Sequence, residues 1–319
     1  MDLPGTTGGH TRHSPFIGPA RLRIKRRTLL SNLEGYAFAA PWLVGFFVFT
    51  LGPFFSSIWY SLHQWDMVTE MKFIGLFNYT RIFQNDIFWK SVQVTITYVV
   101  MSLPASLTLA MILAILVNQQ NPLMMFFRGV FFLPSVTSGV AVAVLWRWLF
   151  NPEFGLINYA LSWFDIQGPM WLASERWALP AIAIMSLWGV GSTMLIYLAG
   201  LQSVPQHLYE AAEIDGAGLM QRFWRVTLPM MSPTIFFTLI MGMIGALQVF
   251  TQAYVMTRGG PNFATYFYVL NLYEEAFVKF RMGYASAMAW ILFVAVLVVT
   301  LVQFRIAGHW VYHEAEINR

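Results

Sequence analysis

The sequence predicts an all-α polytopic membrane protein of about six transmembrane helices, with one helical hairpin outside the bilayer. Two observations carry that class. Hydrophobic residues make up 57% of the 319 and charged residues only 11%, with a mean hydropathy of +0.57. A soluble domain carries about 25% charged residues, so this much apolar surface exceeds what one buried core absorbs and has to face lipid. The apolar residues are also gathered into six stretches, each reaching the roughly 20 residues that cross a hydrocarbon layer. They fall at 37–62, 91–117, 131–150, 179–201, 234–256 and 284–306.

A basic tail, residues 1–35, precedes the first stretch. It holds Arg12, Arg21, Arg23, Lys25, Arg26 and Arg27. Next to an apolar run, such a cluster reads as a cytoplasmic flank under the positive-inside rule, in preference to a nucleic-acid-binding arm. With that end inside, Arg128, Arg222, Arg225, Arg305 and Arg319 also fall inside, so eleven of the 19 Lys and Arg residues do. Both termini are therefore expected in the cytoplasm. The first apolar run is longer than the 7–15 residues of a signal-peptide core, so no cleaved leader is expected. One membrane domain, 36–308, and a short tail, 309–319, complete the division.

The loops are unequal. Segments 63–90, 151–178 and 257–283 are expected outside and are rich in Trp, Phe, Tyr, Gly and Pro. Inside, 118–125 is short and 202–233 is long. The long loop begins Ser203-Val204-Pro205, and proline is tolerated at a helix start because its missing N–H costs nothing there. Helix-forming residues follow through Ile214. Gly216 and Gly218 interrupt them, and a second helical stretch runs to Arg225 before Pro229 and Pro233. Helix, turn, helix is the expectation, with Gly216 taking a positive φ at the turn.

Within that loop, Glu210-Ala211-Ala212, Asp215-Gly216-Ala217, Phe223, Leu228-Pro229 and Pro233 resemble the EAA motif. That motif marks the permease subunits of binding-protein-dependent bacterial ABC importers. Further segments are similar to carbohydrate-uptake permeases of the maltose and oligosaccharide type. These are Phe73-Ile74-Gly75-Leu76 with Asn78-Tyr79, and Thr257-Arg258-Gly259-Gly260-Pro261 with Gly283-Tyr284-Ala285-Ser286-Ala287. The resemblance implies a second homologous permease subunit, two cytosolic ATPase subunits, an extracytoplasmic solute-binding protein and a carbohydrate substrate. It implies that Glu210, Ala211, Ala212, Asp215, Gly216 and Ala217 couple the spans to an ATPase. The alternative for that loop is an ordinary amphipathic surface helix.

What the chain lacks points the same way. Gly-Lys occurs nowhere, so there is no phosphate-binding loop of the Walker type. The chain is expected to bind no cofactor, with ATP and Mg held by partner subunits. The absence of cysteine removes thiolate metal sites and cysteine nucleophiles, and no metal site is expected. His309 and His313 stand four apart, in a segment better read as a solvated end. An ion-coupled transporter usually carries ionisable residues inside its spans, and here Arg128 and Arg147 sit only near the ends of one. A secondary sugar transporter is the alternative function. A glycan-processing membrane enzyme ranks below it, because the expected external carboxylates are scattered.

For the substrate pathway, Gln248, Gln252 and Gly245 share a helical face with Met241 in the fifth stretch. Trp188 and Ser192 share one with Gly191 in the fourth. Amides suit sugar hydroxyls, a glycine leaves room for a ring, and an indole can stack on a pyranose. Helix–helix packing is the competing explanation for each. The aromatic loops suit an oligosaccharide, with a uronate polymer as one candidate.

Overall fold

The computed structural model describes residues 26–119, 121–308 and 310–312. Most of the basic tail, His309, and the last seven residues, including His313, lie outside the described residues. Among the described residues the chain is almost wholly helical; its two short strands, His63–Gln64 and Lys72–Phe73, pair antiparallel. The chain divides into two compact units, residues 1–56 and 57–319.

In the first unit a helix, Arg26–Phe46, passes through Pro41 into a wide π turn, Phe47–Leu51. The Gly52 N–H reaches back five residues to the Phe47 carbonyl, directly before Pro53. Proline has no N–H to continue the ladder, and the wide turn absorbs the missing bond. The apolar helix spans Glu34–Ser61 in all.

Three helices of the second unit are long and apolar enough to cross a membrane: Asp86–Val117, Leu219–Met256 and Met282–Ala307. The first of these begins five residues earlier than predicted. Asn85 caps it, its side chain accepting from the Ile87 N–H at 2.9 Å, and Asp86 favours the positive end of the helix dipole. Its other end is closed by Arg128, whose Nε and Nη2 donate to the Val117 carbonyl at 3.0 and 2.8 Å. A cation over the last carbonyls satisfies groups that no backbone N–H can reach. Arg128 is thus a cap at the end of the neighbouring span.

Two predicted spans are not straight. The third is a pair, Pro122–Val136 and Gly139–Leu149, meeting at 99°. Thr137 and Ser138 take extended backbone between them, with ψ 141 and 131. Hydropathy alone treats the two as one stretch because residues on both sides of the corner are apolar. The fourth is bent by 49° between Ala178–Gly189 and Gly191–Ser203. The reason is close contact. A Cβ on Gly191 would lie 2.0 Å from the Phe131 carbonyl oxygen, so the Pro122–Val136 helix passes directly over the bend.

The core is built around the second span. Towards one end, Val94 and Tyr98 pack with Phe150, Ile182 and Phe267. Towards the other, Ala110, Ala114 and Val117 pack with Met194, Tyr197 and Met231. Small residues on one side let large ones interleave, the packing expected where lipid offers no hydrophobic drive between helices.

Candidate functional site

A cavity of about 510 Å³ lies at mid-span between the second, fourth and fifth spans. It falls within the roughly 300–1,000 Å³ range of ligand pockets. The second span contributes Ser102 and Ser106, the fourth Ser192 and Thr193, and the fifth Gly245 and Gln252. Both flanking spans lose regular backbone here. The fourth breaks at Val190, and the fifth stops at Leu247 and restarts at Thr251. In a membrane, irregular backbone persists only where protein buries it or a polar cavity adjoins it. Two breaks beside one cavity place irregular backbone next to a mainly apolar wall that carries a few hydroxyls and one amide.

The polar side chains fall into two sets. Thr238 is bonded to Tyr197, oxygen to oxygen, at 2.7 Å, and Ser186 donates to the Ala183 carbonyl at 2.6 Å. Those groups hold spans together. Ser106, Ser192, Thr193 and Gln252 make no side-chain hydrogen bond among the described residues, yet all four line the cavity. Polar groups unpaired at membrane depth call for a partner. Their convergence from three spans gives the cavity the means to hold a hydroxyl-rich solute. Phe237 supplies an exposed apolar ring to the same wall.

Of the expected pathway residues, the structure brings Ser192, Gly245 and Gln252 to this cavity and separates Gln248 and Trp188 from it. Gln248 is the residue on which the helix ends, with φ −109 and ψ 19, and its side chain is exposed elsewhere. Trp188 stands edge-on to Trp146 at 5.8 Å. Gly191 is consumed by helix packing, whereas a Cβ on Gly245 would meet nothing within 4 Å. Ser102, Ser106, Thr193 and Phe237 were missed. The serines carried a signal, since hydroxyls four apart around Pro104 interrupt an otherwise apolar span.

The hairpin after the fourth span is the second feature. Its first helix is Gln206–Ile214. The Gly216 N–H donates to the Glu213 carbonyl at 3.0 Å and the Ala217 N–H to the Ala212 carbonyl at 2.9 Å. Gly216 has φ +75. This is the Schellman ending, in which a left-handed residue lets the chain double back onto the last free carbonyls. The second leg then differs from expectation. Leu219 opens a helix that runs on to Leu247, so Pro229 and Pro233 do not separate hairpin from span. A π turn, Phe223–Thr227, precedes Pro229, and the Leu228 N–H reaches the Phe223 carbonyl. This is the same device as at Pro53.

The two legs are tied together. Arg222 pairs with Glu213 at 3.2 Å and donates through Nε to the Ala217 carbonyl at 3.0 Å. Tyr209 and Thr227 share a hydrogen bond of 3.0 Å. Glu210, Ala211, Asp215 and Gly216 are left exposed, and Ala212 and Ala217 half-buried. Ile214 and Leu219, at 87% and 82% exposure, flank the turn. Large apolar side chains are thus bare at the tip of a polar hairpin. The hairpin lies on the same side as the Arg128 cap, since Gln206 and Tyr209 share a cavity with Asn118 and Arg128.

The opposite ends of the spans carry an ionic cluster. Glu275 is buried and bonded to Lys279 at 2.7 Å and Arg281 at 3.4 Å. Tyr266 donates to Glu274 at 2.5 Å. Burial and then the Glu274 carboxylate push the Tyr266 hydroxyl well above the ordinary phenol range, so it remains a donor.

Comparison with known proteins decides what this arrangement is. A family model described as the inner membrane component of binding-protein-dependent transport systems matches residues 88–310. The chain belongs to that family. The permease is 40% identical over 304 residues to a probable ABC transporter permease, YesP, of Bacillus subtilis, with 94% of this chain and 98% of that protein covered. It is 34% identical to the trehalose/maltose permease MalF of Thermococcus litoralis, with 85% and 92% covered. In fold it resembles a chain of a bacterial alginate ABC transporter solved with its pentasaccharide-bound periplasmic protein. That likeness has a TM-score of 0.79 and 24% identity, over 88% of this chain and 96% of that one. The permease is therefore a multi-span transport component and not an enzyme, and the EAA-type motif found in its hairpin is typical of the family.

The separation of the two glutamines has a direct test. Gln252→Ala removes an unpaired amide from the cavity wall and should lower transport several-fold without loss of assembly. Gln248→Ala should leave transport within about twofold. Uptake into proteoliposomes, with complex yield as the control, measures both. Equal effects at the two positions would contradict the assignment.

Proposed function

We propose that this chain is the membrane subunit of an ATP-driven importer that passes a carbohydrate, delivered by an extracytoplasmic binding protein, through its mid-span cavity into the cytoplasm. The observation that carries the reading is the cavity wall itself. It offers free hydroxyls and an amide beside an aromatic ring, the chemistry that exchanges water for polyol hydroxyls at little cost. Several relatives add support: curated descriptions of proteins 31–35% identical name lactose, multiple sugars and arabinooligosaccharides.

In this reading the hairpin faces the cytoplasm and seats on one of two ATPase subunits, which hold ATP and Mg. A homologous permease supplies the other wall of the pathway. Ile214 and Leu219 enter an apolar cleft on the ATPase, while Glu210 and Asp215 meet its basic residues. Closure of the ATPase pair would then swing the hairpin, and the continuous helix from Leu219 would carry that motion to the cavity. The basic tail before residue 36 lies on the same side, and the 309–319 tail with it.

The purified chain alone should hydrolyse no ATP above background. Reconstituted with its sister permease, its ATPases and its binding protein, it should support hydrolysis that sugar raises several-fold. Turnover by the isolated polypeptide, or sugar uptake driven by an ion gradient without ATPase subunits, would overturn this reading.

A further inference from the structure

Among the described residues the cavity lining contains no Asp, Glu, Lys, Arg or His. Its only titratable residue is Tyr98, whose side chain interacts with those of Ser186 and Ser102. The polar groups open to a ligand are Ser106, Ser192, Thr193 and Gln252, all neutral. Charge is present in this unit but is kept elsewhere. Lys90, Glu175 and Arg176 line a separate cavity that the second span forms towards its Asp86 end. Arg128 is spent on the Val117 carbonyl. Glu275 is held by Lys279 and Arg281.

We propose that the mid-span cavity of this chain selects an uncharged oligosaccharide and rejects glycans bearing carboxylate, phosphate or sulfonate groups. The proposal rests on the carbohydrate reading above and narrows it. A neutral sugar trades hydrogen bonds to water for hydrogen bonds to hydroxyl and amide, and the exchange is close to even. A carboxylate brought to this depth loses its hydration and finds no cation on this wall, and an unpaired charge in a low-dielectric site is strongly disfavoured. Hydroxyls and one amide can fill part of the vacated hydration shell but cannot neutralise the charge. The uronate polymer considered from the sequence is therefore disfavoured. The fold likeness to an importer of acidic polysaccharide is a likeness of fold, and fold alone does not set the chemistry of a site.

The test uses the complete transporter, with sister permease, ATPases and binding protein, in lipid nanodiscs. Sugar-stimulated ATP hydrolysis is read for a panel of neutral di- to tetrasaccharides and for galacturonate oligomers of the same lengths. Neutral members should stimulate, and uronate oligomers should give under a tenth of that stimulation. Equal or greater stimulation by the uronates would overturn this inference while leaving the carbohydrate reading intact. No stimulation by any glycan would overturn the carbohydrate reading itself, and this inference with it.

A second measurement reads the charge of the passing substrate directly. Ser192→Lys and Ser192→Asp place opposite charges on the same exposed point of the wall. For an uncharged substrate the two should depress transport of the stimulating sugar alike, within about threefold of each other. Tolerance of the lysine together with at least tenfold greater loss for the aspartate would mean that the substrate is anionic, and would overturn the proposal. Recovery of the complex with its sister permease and ATPase subunits, at wild-type yield and monodispersity, controls for misassembly in both variants.

Discussion

A transporter carrying Gly216→Pro should insert and fold, yet hydrolyse ATP no faster with sugar than without it. Gly216 sits at φ +75, whereas proline is held near −65°. The substitution also removes the N–H that Gly216 donates to the Glu213 carbonyl. Both losses fall on the residue that turns the first leg back onto the second. With the turn opened, the Glu213–Arg222 and Tyr209–Thr227 ties lose their register, and Ile214 and Leu219 no longer present one face. The spans are packed by other residues and should be unaffected. Gly216→Ala keeps the N–H and meets no nearby atom, so it should cost only the left-handed penalty of about 1–2 kcal/mol and retain partial coupling.

Glu210→Lys is the companion variant. Glu210 is exposed and has no ion pair among the described residues, so its charge is available to a partner. Its reversal should release the ATPase subunits on purification while leaving the fold untouched. Normal, sugar-stimulated hydrolysis by a transporter bearing both Gly216→Pro and Glu210→Lys would show that the hairpin is not the coupling element.

Gly191→Ala should destabilise the membrane domain more than any single substitution in the cavity wall. The new methyl would sit 2.0 Å from the Phe131 carbonyl oxygen, 2.8 Å from its carbon and 2.9 Å from the Phe132 Cα. All three are backbone atoms of the Pro122–Val136 helix, so no flexible side chain can move aside. Overpacking typically costs about 1–3 kcal/mol, and a clash with helix backbone belongs at or above the upper end. The thermal unfolding midpoint in detergent should fall by several degrees and the yield of assembled complex should drop. Gly245→Ala is the control: it adds the same methyl to open space and should leave the midpoint unchanged. A wild-type midpoint for Gly191→Ala would mean that the helix over the bend is not held there by close contact.

The two variants separate what each glycine does, and the distinction bears on how the chain is read. At Gly216 the residue type answers a local demand. A turn between two short helices needs a left-handed residue, and the position is legible from the run of helix formers before it and the second glycine after it. At Gly191 the demand comes from Phe131, sixty residues earlier. Nothing in the neighbouring sequence distinguishes a glycine that admits a helix from one that admits a ligand.

The sequence by itself determined the membrane architecture, the hairpin and the family. An apolar run of about 20 residues has one stable environment wherever it occurs, and a turn signal or a motif acts over a few residues of chain. Tertiary structure alone decided which polar residues meet. Assigning Gln248 and Gln252 to one face assumed an unbroken helix, along which each residue advances by a constant angle. The break between Leu247 and Thr251 resets that angle, so Gln252 reaches the cavity and Gln248 turns away. The corner at Thr137–Ser138 was equally hidden, because hydropathy is blind to direction. Pro229 was read as a helix end because a proline lacks its N–H. A wide turn placed before it re-paired the ladder, so the hairpin's second leg and the fifth span are one continuous helix.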